Sequence, residues 1–172
     1  MQPSILTSSG RYFDFIRPDL SLFDIHDIAH ALSNLCRFTG HVRTFYSVAQ
    51  HSVGASYAVP PEFAFEALMH DAAEAFVGDV SSPLKHLLPG YREIESRVES
   101  AIRARFGLPA EQSVAVKHSD LVMLATEKRD LMPAAGDTWP ILRTIRPLAA
   151  AIVPLDPGMA CHTFLYRFAE LA

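Results

Sequence analysis

The stretch EFAFEALMHDAAEAFVGD, residues 62–79, decides how the rest of the chain is read. From Glu62 to Phe76, Phe, Ala, Leu and Met cover most of a helical circumference. A helix that is apolar nearly all round belongs inside a protein, not on its surface. Gly78 supplies the stop. Yet His70, Asp71 and Glu74 sit within the run. Burying such groups is costly unless they are paired or bind a metal. Glu74 lies four residues after His70 and three after Asp71, so it shares a helix surface with both. Two carboxylates held that close raise each other's pKa, a conflict that a divalent cation removes. One His-Asp pair supplies only two ligands, so the others must come from other helices.

Outward from this stretch the chain reads as mostly helical. Residues 1–17, with Ser8-Ser9-Gly10 between ILT and RYFDFI, read as a small β-hairpin. Asp27 to Phe38 carries Ile28, Leu32 and Leu35 at helical spacing, with Gly40 as its terminator. A second helix runs from about Tyr46 to Tyr57 and stops at Pro60-Pro61. Ser81-Ser82-Pro83 opens a loop or short helical turn. Tyr91, Ile94, Val98, Ile102 and Phe106 form one stripe of a further helix, closed by Gly107 and Pro109. Another runs from about Gln112 to Met132, with Val114, Leu121, Leu124, Ala125 and Met132 turned inward. A Pro-containing loop around Trp139 precedes a last helix from Pro157 to Leu171. The expectation is an all-α helical bundle with a small N-terminal hairpin, one domain over residues 1–172.

Two residues on other helices could complete a ligand set. His51 lies in YSVAQHSVGAS between Val48 and Val53, and Asp120 lies in VKHSDLVML. With His70 and Asp71 they give two imidazoles and two carboxylates, a set suited to Mn, Co, Fe or Zn in a site left open to water or substrate. Each residue alone also has a plain structural reading: His51 as a core histidine, Asp120 as a cap or as the partner of Lys117. Composition and periodicity do not join the four. His26-Asp27 is a second His-Asp dipeptide, and His26 with His30 makes an HxxxH pair. Asp27 reads there as a helix cap, and no Glu follows at the required spacing. His41, His86 and His118 read as surface residues or as supports behind a site. The run Glu127-Lys128-Arg129-Asp130 reads as a solvated helix face with local ion pairs.

The order His51, then His70-Asp71, then Asp120 resembles the H…HD…D pattern of the HD-domain metal phosphohydrolases. The segment QHSVGAS…ALMHDAAEAFVGDVSSPLK is similar to the branch containing 5′-deoxynucleotidases and phage deoxynucleotide triphosphohydrolases. That branch carries HDxxExxxGDxxxPxK, and His70, Asp71, Glu74, Gly78, Asp79, Pro83 and Lys85 complete it here. The likeness spans about Leu35 to Leu131. Arg37-Phe38 stands where the branch has an Arg-Trp pair, so Phe replaces Trp. The resemblance implies an HD-type helical bundle with His51, His70, Asp71 and Asp120 on a divalent transition metal, and Mg as an option with a triphosphate substrate. It implies water attack on phosphorus, with Glu74 moving the proton and Asp79 positioning the water or a sugar hydroxyl. Arg37 and Lys85 become candidate phosphate contacts and Phe38 a candidate stacking surface. The implied substrate is a small nucleotide, deoxynucleotides first, with a phage-type dATP triphosphohydrolase as the near alternative. An inactive metal-binding nucleotide sensor is the alternative from another class. The family also implies a homo-oligomer, a dimer or larger.

Composition is that of an ordinary globular protein, with 49% hydrophobic and 20% charged residues. A net charge of −4 disfavours a general polyanion surface, so a nucleic-acid polymer is not the expected partner. No apolar run approaches the roughly 20 residues that span a bilayer, and MQPSILTSSGRYF lacks the marks of a signal peptide. Cys36 and Cys161 form neither a zinc pattern nor a disulfide framework, so two reduced thiols in a cytoplasmic protein are expected. No Walker A loop, GxSxG elbow or dinucleotide fingerprint is present, which leaves kinase, serine-hydrolase and Rossmann chemistry without support.

Overall fold

The structure, a computed structural model, describes residues 3–134, 136 and 139–172. These are mostly helical, with one small antiparallel sheet. Strands β1 (Ser4–Leu6) and β2 (Tyr12–Asp14) pair as the expected hairpin, with Ile5 opposite Phe13. Phe13 is its anchor, stacked on Phe76 with ring centres 4.1 Å apart and packed against Phe23 and Phe15.

The first helix, α1, spans Ile25–Asn34 and not Asp27 to Phe38. Asp24 caps it, its side chain accepting from the His26 amide, so Asp27 lies inside the first turn and is not the cap. The helix stops before Phe38 because Leu35 and Cys36 turn extended: Cys36 bridges to Ser47, and the Val48 amide donates to the Leu35 carbonyl. Gly40, with positive φ, closes the 3₁₀ turn that follows (Arg37–Gly40), not the helix. Within that turn Phe38 and Thr39 both adopt left-handed backbone, φ +56° and +54°, which costs non-glycine residues of order 1 kcal/mol each.

Helix α2 (Val48–Tyr57) lies close to its expected bounds, capped by Ser47. The apolar helix of residues 62–76 is broken in two: α3 (Ala64–Met69) and α4 (Glu74–Val77). Between them the backbone tightens to three-residue hydrogen bonds, Ala72 to Met69, Glu74 to Asp71 and Ala75 to Ala72. Side chains three apart eclipse in such a turn, which brings Asp71 and Glu74 onto one edge. The short helix α5 (Ser82–Lys85) follows, then α6 (Pro89–Arg105), in which Val98 and Ile102 are buried while Ile94 is exposed. Helix α7 (Val114–Leu131) buries Ala125 as expected and Leu121 and Leu124 in part, but not Val114. Val114, at its first position, is 83% exposed, and the buried residues are Val116, Ser119, Met123, Ala125, Thr126, Glu127 and Leu131. The last helix, α8, spans Pro157–Leu171 as read from the sequence.

Helix α2 sits at the centre, packed on α3, α7 and α8, while α1 packs on α8 and α4. Gly54 lets α2 and α7 approach closely, its missing Cβ occupied by the end of Met123. Cys36 and Cys161 are both free thiols. Among the described residues, no helix is long and apolar enough to cross a membrane.

Candidate metal centre

Three elements deliver donor atoms to one place: α2 brings His51, the tight turn after α3 brings His70 and Asp71, and α7 brings Asp120. His51 Nε2 lies 3.3 Å from His70 Nε2, 3.2 Å from Asp120 Oδ1 and 3.5 Å from Asp71 Oδ2. Asp71 Oδ2 is 3.2 Å from His70 Nε2. His51, His70 and Asp120 form a group that could hold a metal ion, their donor atoms all within 4.8 Å of one another. Asp120 is thus turned to His51; an ion pair with Lys117 is not the one it forms.

The two rings are fixed from behind. His70 Nδ1 donates to the Ala67 carbonyl at 2.7 Å, and His51 Nδ1 donates to Glu127 Oε1 at 2.6 Å. Each ring therefore presents Nε2 to the centre, and two nitrogens with lone pairs face each other across 3.3 Å. A proton relieves this in part. Burial and Arg37 push the His51 pKa down, yet Glu127 and Asp120 outweigh them and raise it to about 10. For His70, burial is likewise overcome by Asp71, and the pKa rises. Asp71 is held well below the usual carboxylate range, its burial outweighed by His70, His51 and Arg37. A cation would meet several of these donors at once. Asp71 and Asp120 bring two carboxylates to the group, while the Glu127 carboxylate behind His51 is set against Arg37.

Glu74 stands beside this group. It is buried, its Oε2 has no hydrogen-bond partner, and Oε1 lies 3.6 Å from Lys85 Nζ. Burial first, then the charges of Asp71 and Asp79, push its pKa well up, so the carboxyl favours its protonated form. Asp79, just after the left-handed Gly78, is partly buried and also raised, by burial and by Asp71. Lys85 is held by Glu95 at 2.5 Å and lies over the Tyr91 ring. Phe38 is half-buried, with the Arg37 guanidinium 5.4 Å from its ring centre and the Trp139 ring 6.4 Å away; Lys128 lies over Trp139 at 4.8 Å.

Arg37, read as a candidate phosphate contact, is buried, with Nε and Nη2 on Glu127 Oε2 at 3.1 Å and Nη1 3.6 Å from Asp71 Oδ2. One sequence reading needs correction. Glu127 is not on a solvated face; it is fully buried between Arg37 and His51, with Tyr46 against it. Its neighbours Arg129 and Asp130 do form the expected local pair. The signal for Glu127 was its spacing, seven residues or two helical turns after Asp120, which puts both on one side of α7. His26, His30, His41, His86 and His118 are exposed and outside the donor group. Asp27 is buried by other partners: it accepts from Ser8 Oγ at 2.5 Å, from the Ser9 amide at 2.7 Å and from Ser9 Oγ at 2.6 Å.

No protein-family model matches the chain. It is 48% identical over 169 residues to the uncharacterized protein YfdR of Escherichia coli (strain K12), a match covering 98% of this chain and 95% of that one. It is also 35% identical over 121 residues to an uncharacterized protein of Rhodobacter capsulatus, covering 64% of this chain and 62% of the relative.

Proposed function

The chain belongs to the family of the Escherichia coli protein YfdR, and we propose that it is a divalent-metal-dependent phosphohydrolase of the HD-domain type, acting on nucleotides. The observation that carries this reading is the convergence of His51, His70, Asp71 and Asp120 on one space, with both rings fixed to present Nε2. The donor set fits Mn, Co, Zn or Fe. A divalent ion held there supplies Lewis acidity toward a phosphoryl oxygen and acidity to a water.

The chain's own residues supply the rest. The buried Glu74, whose Oε2 has no hydrogen-bond partner and whose pKa is pushed up by burial, can as a carboxylate take a proton from an attacking water and as a carboxylic acid deliver it to a leaving oxygen. Asp79, beside it, orients the water or a sugar hydroxyl. Lys85 shares its charge between Glu95 and Glu74, and so holds Glu74 in place from the outer side. Phe38 and Trp139 give the neighbouring surface two aromatic rings, a fitting rest for a nucleobase. Deoxynucleotides lead among substrates on the strength of the sequence resemblance.

A phosphate-release screen tests this reading. Nucleoside mono- and triphosphates, ribo and deoxy, are incubated with metal-stripped protein and with Mn, Co, Zn, Fe or Mg added back. Release of phosphate or triphosphate that vanishes with chelator supports the proposal. Stoichiometric metal binding with no release from any nucleotide would overturn the enzyme and leave a metal-binding sensor.

A further inference from the structure

We propose that Glu127 and Arg37 form a buried yoke that positions the metal donors, and that Arg37 serves the metal centre and not the substrate phosphate. The proposal rests on the metal reading above. It assigns work to one residue that the motif does not contain and changes the work of another.

Both oxygens of Glu127 are committed. Oε1 takes the His51 Nδ1 proton at 2.6 Å, and Oε2 takes Arg37 Nε and Nη2, each at 3.1 Å. With no exposed surface and both oxygens occupied, Glu127 acts through His51: it fixes which ring nitrogen carries the proton and makes the other a better donor. Arg37 continues the chain of contacts. Its planar fork grips Glu127 with one edge and brings Nη1 to 3.6 Å from the donor Asp71. One guanidinium thus links the support of His51 on α2 to Asp71 in the tight turn.

The backbone around Arg37 is built to keep it there. Its amide donates to the Tyr46 carbonyl at 2.9 Å, and the strained Phe38–Thr39 step lies immediately beyond. A phosphate clamp needs free N–H groups facing solvent. The Arg37 side chain is 11% exposed, with three of its nitrogens directed at carboxylates. The charges agree as well: Glu127 and Arg37 offset each other, so the two negative charges that face the cation remain those of Asp71 and Asp120.

The test measures cobalt affinity of metal-stripped protein by chelator competition, without substrate, together with the visible ligand-field bands of the cobalt form and the melting temperature. Glu127→Gln keeps the shape and removes the charge. It should weaken cobalt binding by about 10–100-fold and shift the bands. Arg37→Lys keeps the charge and loses the fork. It should also weaken cobalt binding, and it serves as the second probe should Glu127→Gln fail to fold. A phosphate clamp predicts instead that Arg37→Lys leaves cobalt affinity unchanged and raises only KM. Cobalt affinity and bands equal to wild type in folded variants, even with a lowered melting temperature, would overturn the yoke while leaving the metal reading intact. Wild-type protein that binds no cobalt would overturn both.

Discussion

The chain contains the dipeptide His-Asp twice, at His26-Asp27 and at His70-Asp71, and the two do opposite things. Asp27 is saturated: Ser8 and Ser9 give it three hydrogen bonds, and His26 beside it points into solvent. Its carboxylate is a rivet that fastens the hairpin turn to α1. Asp71 and His70 are arranged otherwise. Asp71 Oδ2 lies 3.2 Å from His70 Nε2 and 3.5 Å from His51 Nε2, the two Nε2 atoms face each other at 3.3 Å, and the nearby buried Glu74 Oε2 has no hydrogen-bond partner. A polar group whose needs are met within the fold holds structure together. One crowded with other donor atoms, beside a buried oxygen that has no partner, is the better candidate for a ligand site.

The sharpest way to break this contrast is to delete the histidine of each pair. His70→Ala should abolish tight metal binding and turnover together, whereas His26→Ala should leave metal content at the wild-type level. Elemental analysis of the two purified variants decides; metal lost from His26→Ala would move the centre. A smaller effect is expected one turn on. Glu74→Gln keeps size and fold but cannot titrate, so metal content should survive while turnover falls by about 10²–10⁴-fold. Single-turnover rates near wild type would end the proton-transfer assignment and turn attention to Asp79.

The rivet gives the mildest effect, and it appears in stability and not in rate. Asp27→Asn should lower unfolding free energy by about 1–3 kcal/mol at neutral pH, the worth of hydrogen bonds to a charged group. Although burial pushes the other way, the Ser8 and Ser9 bonds hold the Asp27 pKa below its ordinary 3.8. The sign follows: the carboxylate stabilises above that unfolded value, and the contribution is lost as pH falls through the lower folded one. Denaturant curves of the two proteins should therefore converge in acid. A gap that stays constant with pH would mean that shape, not charge, is what Asn lacks.

Much of this centre could be read from the sequence, because His70, Asp71 and Glu74 are conspicuous in an apolar run and carry a motif with His51 and Asp120. Glu127 could not be read the same way. In EKRD it has the composition of a solvated surface; its seven-residue step from Asp120 is a signal only once Asp120 is read as facing the site, and the fold shows that α7 turns this edge inward. The end of α1 was hidden for a related reason: Leu35 fits the helical period, but its carbonyl is taken by Val48 across a bridge that no local pattern announces. The break within residues 62–76 leaves the apolar period intact and alters only the hydrogen-bond step, so periodicity passes over it.

Trp139 is the chain's single tryptophan, and it sits between Phe38 and Lys128. Light absorbed by indole alone therefore reports on one corner of the molecule, the one next to Arg37. Emission from that ring responds to the ammonium lying over it and to any planar group that slides against it. The protein carries its own optical gauge, without a label or an engineered residue, and a titration followed by fluorescence can rank candidate nucleotides before any of them is turned over.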